Sequence, residues 1–238
     1  MINLIDLILI VDNVISDDES ELLISEFETK KTFKERSREI NSSDYLETDA
    51  DFIDLNPKTK TQQIANDKTN IMVGHYKDYI EKLGNFDTHG LIANLEYAHK
   101  YRIIKYDIGQ SFHDHVDNRP FIFGSCSVAL NDDYEGGEYN FFRGGHRVKL
   151  KKGQGMIWPA DFFFVHGVNT ITNGCKYSMN SFLGDIRCIE WPRQLQNEIM
   201  RLEQETIRCH RHESSEKSTV LFHEHGSNVI TATNEETK

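Results

Sequence analysis

Apolar positions along this chain follow two periodicities, and the change from one to the other sets the expected layout. Residues 7–11 (LILIV) form an aliphatic run that ends at Asp12-Asn13, the pattern of a buried strand leaving through a turn. Ser16 followed three residues later by Glu19 predicts a capped helix start, with Leu22, Leu23 and Phe27 as the stripe that packs on a sheet. Between residues 60 and 83, Ile64, Met72, Tyr76, Ile80 and Leu83 recur at helical spacing, and Gly84-Asn85 supplies the stop. From residue 94 onward strands take over. One or two are expected within 94–106, then others at 121–130, 138–142, 147–150, 155–158, 162–168 and 176–183. Gly136-Gly137, Gly144-Gly145, Gly153-Gln154-Gly155 and Asn173-Gly174 punctuate them as turns.

This run of short strands predicts a mainly β protein with flanking helices (α+β) around a double-stranded β-helix, a jelly-roll or cupin-like core. Residues 1–85 would supply the N-terminal strand and supporting helices of the same domain, and residues 86–190 the core. Beyond Trp191-Pro192, Leu195, Ile199, Leu202 and Ile207 mark a bracing helix over 191–208. Residues 209–238 form a polar tail, in which TVLFHEH and VITAT flank Gly226-Ser227-Asn228 as a candidate hairpin. Residues 30–56 are highly charged and aperiodic. They read as loops with one short strand near Tyr45, either a flap over a site or a solvated surface connection.

A chain of 238 residues suits one large domain. Its formal net charge of -11 argues against a nucleic-acid-binding surface, since phosphate contacts are made by Lys and Arg, but is compatible with a locally basic mouth. Cys126, Cys175, Cys188 and Cys209 show no CxxC spacing, which fits reduced structural thiols in a cytoplasmic protein. The first apolar run is short, broken by Asp6 and without a basic leader, so it reads as neither signal peptide nor membrane span.

The chemistry concentrates between YDIGQSFHDHVDN and FFFVHGVNTITNGCKYS. In a strand His115 and Asp117 project from one side and can take adjacent positions on one metal. His166, at the end of the apolar run 162–165, would be delivered to the same cavity by a buried strand. Two imidazoles and a carboxylate on one face leave the opposite coordination positions open, as in non-haem Fe(II) oxygenases. Lys176, ten residues beyond His166, adds a cation and therefore an anion site. His113 shares the face of His115 in a regular strand, so spacing alone leaves the first ligand open between them. His75 reads as a surface or packing residue of its helix. His210, His212, His223 and His225 match no trusted zinc spacing and read as polar tail.

The tyrosine of YDIGQ, the HVDN pair, NDDYEGGEYNF, the late HGV and Lys176-Tyr177-Ser178 occur in an order and spacing that resembles the 2-oxoglutarate and Fe(II)-dependent dioxygenases, in the prolyl 4-hydroxylase-like branch. The resemblance covers roughly residues 92–185, with a weaker echo in ILIVDNVISDDESELLI. It implies a dioxygenase core over 86–190 whose catalytic and metal set is His115, Asp117 and His166. His115 is preferred over His113 because Tyr106 stands nine positions before it. Tyr106, Lys176 and Ser178 are then expected to hold 2-oxoglutarate, and Asn131, Glu135, Gly136, Gly137 and Glu138 to be architecture. The presence of Asp117 implies hydroxylation in place of halogenation. The implied cofactors are Fe(II), 2-oxoglutarate and dioxygen, with ascorbate as a further candidate.

The function implied is hydroxylation of a C–H bond, on a prolyl residue of a protein or peptide, with release of succinate and CO2. The partner would be that protein or peptide, with neither membrane nor nucleic acid involved. The alternatives are an oxygenase of a free amino acid, another small molecule or a nucleobase, and a non-enzymatic cupin-like metal binder. A binder has no use for Lys176 and Ser178, which disfavours it. Nothing in the sequence separates the two oxygenase readings.

Overall fold

The computed structural model describes residues 2–38, 40, 44–84, 87–117, 119–187 and 201, with two strands at 219–224 and 228–233. The chain divides into two compact units, Met1–Glu190 and Trp191–Lys238. The first unit carries helices α1 (Asp17–Thr29), α2 (Lys60–Leu83) and α3 (Thr88–Ala93). Its strands begin with β1 (Leu9–Val11), β2 (Arg36–Arg38), β3 (Tyr45–Glu47), β4 (Asp51–Asp54), β5 (Tyr97–Tyr106), β6 (Phe112–His115) and β7 (Ile122–Ala129). They continue with β8 (Glu135–Gly136), β9 (Tyr139–Phe141), β10 (His146–Val148), β11 (Gly155–Pro159), β12 (His166–Val168), β13 (Ile171–Asn173) and β14 (Lys176–Gly184).

Two antiparallel sheets make the core. The larger has the order β1-β11-β7-β14-β5-β4 and the smaller the order β10-β9-β12-β6. Short ladders add β13 to β8 and β2 to β3. This is the double-sheet jelly roll that the strand run predicts. Alternation along each strand sorts the larger sheet's residues between two cores. Ile103, Val128, Ile157 and Met179 face the helices, where they meet Leu23 and Phe27 of α1 and Ile64, Met72 and Ile80 of α2. Their neighbours Ile104, Ala129, Trp158 and Met156 face inward, onto Phe112, Tyr139, Phe141, Val148 and Val168. Both faces of the central strands are covered, and the polar residues they carry, Ser125, Ser127, Ser178 and Ser181 among them, are buried with the apolar ones.

Helix α1 begins, and α2 begins and ends, where the sequence predicts, while α3 was not expected. Ser16 and Glu19 form the reciprocal capping box of α1, and Thr59 Oγ1 accepts from the Gln62 backbone N–H at the start of α2. Gly84 ends α2 with φ +66°, a conformation open to glycine. Met72 sits so close to β11 that a Cβ on Gly155 would lie 2.5 Å from its sulfur, so this glycine lets the helix dock.

Three local expectations are corrected. Residues 162–168 are not one strand: 161–163 form a turn that leaves Phe162 and Phe163 exposed, and only His166–Val168 is extended. Three aromatic side chains in a row cannot all face one core, and the Asp161 side chain closes the turn by accepting from the Phe163 N–H at 2.8 Å. Strand β6 stops at His115, so Asp117 comes from the segment beyond it. Residues 30–56 are more than a charged connection, since β4 pairs along β5 and buries Phe52 and Ile53. In the second unit Thr219–Glu224 (β15) pairs antiparallel with Asn228–Thr233 (β16). The helix expected over 191–208, apart from Arg201, lies outside the described residues, as do His210, His212, His225, Cys188 and Cys209.

Candidate active site

His115 and His166 are register partners where β6 pairs with β12, which brings their rings to 4.4 Å between centroids. Asp117 reaches both: Oδ1 lies 3.4 Å from His115 Nε2, and Oδ2 lies 3.4 Å from His166 Nε2. The three offer one ligand atom each, all within 4.8 Å of one another. His113 is not among them. Each imidazole spends its Nδ1–H on the carbonyl two residues back, His115 on His113 at 2.9 Å and His166 on Phe164 at 3.0 Å. That bond fixes the tautomer and leaves each Nε2 lone pair for a metal. Ser125 Oγ donates to Asp117 Oδ2 at 2.6 Å and so orients the carboxylate. Phe112 stacks on His115, while Phe141 and Trp158 pack on His166. These donors suit a divalent cation such as Fe(II), held on one side only.

Lys176 opens β14 opposite Tyr106 on β5 and is only 2% exposed. Its Nζ donates to the Gly137 carbonyl at 2.8 Å and lies 3.9 Å from the centre of the Tyr139 ring and 5.5 Å from that of Tyr106. Among the described residues no carboxylate comes within ion-pairing distance of it. Gly136 and Gly137, at φ +74° and +67°, run in the left-handed region and set that carbonyl in place. Ser178 Oγ is buried and makes no hydrogen bond of good geometry among the described residues, although the Tyr139 hydroxyl lies beside it. A buried cation facing rings and a single carbonyl, with a spare hydroxyl two positions along, fits a carboxylate ligand.

Residues 101–184, which hold every one of these side chains, match the family model described as the 2OG-Fe(II) oxygenase superfamily. That stretch, about a third of the chain, is similar to the 2OG-Fe(II) oxygenases. A PKHD-type hydroxylase of Methylobacterium nodulans is 29% identical over 143 residues, covering 50% of this chain and 62% of that protein. One from a Caulobacter species is 36% identical over 86 residues, covering 30% and 37%. The chain thus spans less than two thirds of the curated relatives it matches. Among solved structures, the viral collagen prolyl hydroxylase of Paramecium bursaria Chlorella virus-1, in complex with 2OG, has a TM-score of 0.56 at 16% identity, over 76% of this chain and 97% of that one. A Pseudomonas putida prolyl-4-hydroxylase has a TM-score of 0.54 at 14% identity, over 75% and 92%. At such identities these two structures establish the shared fold.

Burial and neighbouring charges set the protonation of the candidate ligands. Burial would raise the Asp117 carboxyl, but His166, His115 and Ser125 together hold it well below the usual carboxylate range. Burial pushes His166 down to about 4, so it is a neutral ligand at neutral pH. His115 is raised, because its contacts with Asp117 outweigh the burial that lowers it. Burial also brings Lys176 down to about 7, with Lys149 adding to the fall and Glu138 opposing it. The fold gathers His115, Asp117 and His166 into one group, and sets Lys176 beside Tyr106 with Ser178 two positions along the same strand. Sequence reading missed Ser125, which no motif marks, and Tyr139, which it took only as part of a strand beside the glycines. Gly137, read as architecture, also supplies the carbonyl for Lys176.

Proposed function

We propose that this chain is an Fe(II)- and 2-oxoglutarate-dependent hydroxylase of a prolyl residue in a protein or peptide. His115, Asp117 and His166 would hold the iron, and Lys176 with Ser178 and Tyr106 the far carboxylate of 2-oxoglutarate. The observation that carries this reading is the buried Lys176, which has no carboxylate at ion-pairing distance among the described residues and is linked to the triad through Tyr139 and Trp158, the latter packed on His166. Fe(II), when bound, supplies activation of dioxygen, so that O2 and 2-oxoglutarate convert a substrate C–H to C–OH and yield succinate and CO2. The chain's own residues do the positioning. His115 and His166 through Nε2, with His115 giving up any proton there to the metal, and ionised Asp117 would hold the iron from the side they line and leave the rest to the substrates. Lys176 orients the cosubstrate by a charge-assisted bond, and Phe112, Phe141 and Trp158 keep water from the ligands.

A prolyl substrate is supported by the names of the neighbours, two of them prolyl hydroxylases. A further one is a Trichoplax adhaerens prolyl hydroxylase in complex with a hypoxia inducible factor peptide, with a TM-score of 0.56 at 12% identity over 77% of this chain and 86% of that one. The acidic balance of the chain also favours approach of a basic peptide over a polyanion. Supplying the iron-loaded protein with proline-containing peptides, free proline and single-stranded DNA in parallel tests the reading. Succinate should form together with one added oxygen in peptide. Oxidation of free proline alone, or of DNA but no peptide, would overturn the assignment of substrate.

A further inference from the structure

Between the lysine anchor and the metal triad the interior is polar, and the register of the larger sheet gives its order. On β14 the inward positions run Lys176, Ser178, Asn180, Phe182. Facing them on β7 are Ala129 opposite Ser178, Ser127 opposite Asn180 and Ser125 opposite Phe182. Ser125 is the residue that holds Asp117. Asn180 therefore occupies the rung between the anchor and the metal, and its neighbours fix its amide. Ser127 Oγ donates to Asn180 Oδ1 at 3.1 Å. A hydroxyl has one proton, so Ser127 must accept from the Tyr139 hydroxyl, its other partner. The chain of bonds runs from Tyr139 through Ser127 to Asn180 and commits the amide oxygen. The Asn180 NH2 is left as the donor end of the relay.

Two further groups say that this interior expects a polar occupant. Ser178 Oγ and Trp158 Nε1 are buried without partners among the described residues, although their residues are only 1% and 2% exposed. Resting on the cosubstrate reading above, we propose that Asn180 donates a hydrogen bond to 2-oxoglutarate lying between Lys176 and the triad, and that Ser127 and Tyr139 are positioning residues that aim it. Asn180 is thereby a binding residue for the cosubstrate and a determinant of its selection. A carboxylate or keto oxygen accepts from its NH2, and a ligand that presents a donor at this rung is rejected.

The test is an anaerobic titration of 2-oxoglutarate into the Fe(II)-loaded full chain, followed by the visible charge-transfer band, with Fe(II) affinity measured separately on each variant. Asn180→Ala should weaken 2-oxoglutarate about tenfold, the usual scale for a hydrogen bond to a charged group, and leave iron affinity unchanged. Asn180→Asp, the same shape with an acceptor in place of the donor, should weaken it further, since it sets a carboxylate against an anion. Ser127→Ala, which frees the amide to rotate, should give an intermediate loss. Wild-type 2-oxoglutarate affinity in Asn180→Ala and Asn180→Asp would overturn the proposal while leaving the cosubstrate reading intact. Failure of the iron-loaded wild type to bind 2-oxoglutarate would overturn both. A variant that loses iron affinity in parallel would show a structural role instead.

Discussion

Lys176 shows how far a single side chain can be argued. Buried beside Tyr139 and the Gly137 carbonyl, its ammonium has given up water without gaining a counterion among the described residues. Burial brings its pKa down to about 7, close to neutral pH, before any anion arrives. The carboxylate of 2-oxoglutarate needs the protonated form, so its affinity should hold below about pH 7 and fall above it, approaching about tenfold per pH unit. Stability should run the other way. The folded value lies below the unfolded one, so between about pH 7 and the ordinary lysine range the unfolded chain binds the extra proton, and stability of the ligand-free protein rises with pH. Lys176→Arg should flatten the affinity profile, since guanidinium stays charged. A pH-independent affinity in wild type would remove the lysine from the site. The positions of Lys176 and Ser178 were legible in the sequence because alternation puts them on one face. Ser125, Tyr139 and Asn180 were not, because their roles depend on which strand lies opposite, and register is not written in any one strand.

At the scale of elements, the segment before α2 departs furthest from its sequence pattern. Glu35 sits between two guanidiniums, Arg102 of β5 and Arg119, which follows Asp117 by two residues; Arg119 Nη2 lies 2.9 Å from Glu35 Oε1. Arg102 also donates to Asp54 at 2.8 Å and lies over the rings of Phe33 and Phe52. The Ile40 N–H reaches the Asp114 carbonyl at 3.3 Å. These contacts pin Phe33, Glu35, Ile40, Phe52 and Asp54 to the edge of β5 and to the segment around Asp117, and charges that looked like solvated surface are partners across the fold. Glu35→Gln should cost on the order of 3 kcal/mol in urea unfolding, because it leaves the 4% exposed Arg102 undercompensated. Arg119→Ala, where the lost partner is 45% exposed, should cost under about 1 kcal/mol. Equal effects would contradict the division of the cluster into a buried and a surface half. Helices α1 and α2 were legible because caps and stripes are local, whereas the six-residue α3 is too short to show a stripe. β4 was not, because its burial pattern spans only four residues and its pairing partner lies some fifty residues away.

For the molecule as a whole, one chemical interior is enclosed by two sheets, and the helices stiffen the larger sheet from its far side. The strand run showed the jelly roll because many strands follow one another from residue 94 onward, with glycine or turn residues between most of them. It could not show that residues 161–163 turn outward, or that Asp117 lies past its strand, because both follow from where the second sheet closes on the first. No helix among the described residues is long and apolar enough to cross a membrane. The central proposal is that one interior would hold both iron and cosubstrate. The direct measurement is the anaerobic charge-transfer band on adding Fe(II) and then 2-oxoglutarate to the wild type and to His113→Ala, His115→Ala and Lys176→Ala. The band should appear in wild type and His113→Ala and be lost in His115→Ala. Lys176→Ala should need about ten- to hundredfold more 2-oxoglutarate to develop it. A band lost in His113→Ala but kept in His115→Ala, or a Lys176→Ala titration that overlays the wild type, would contradict the account.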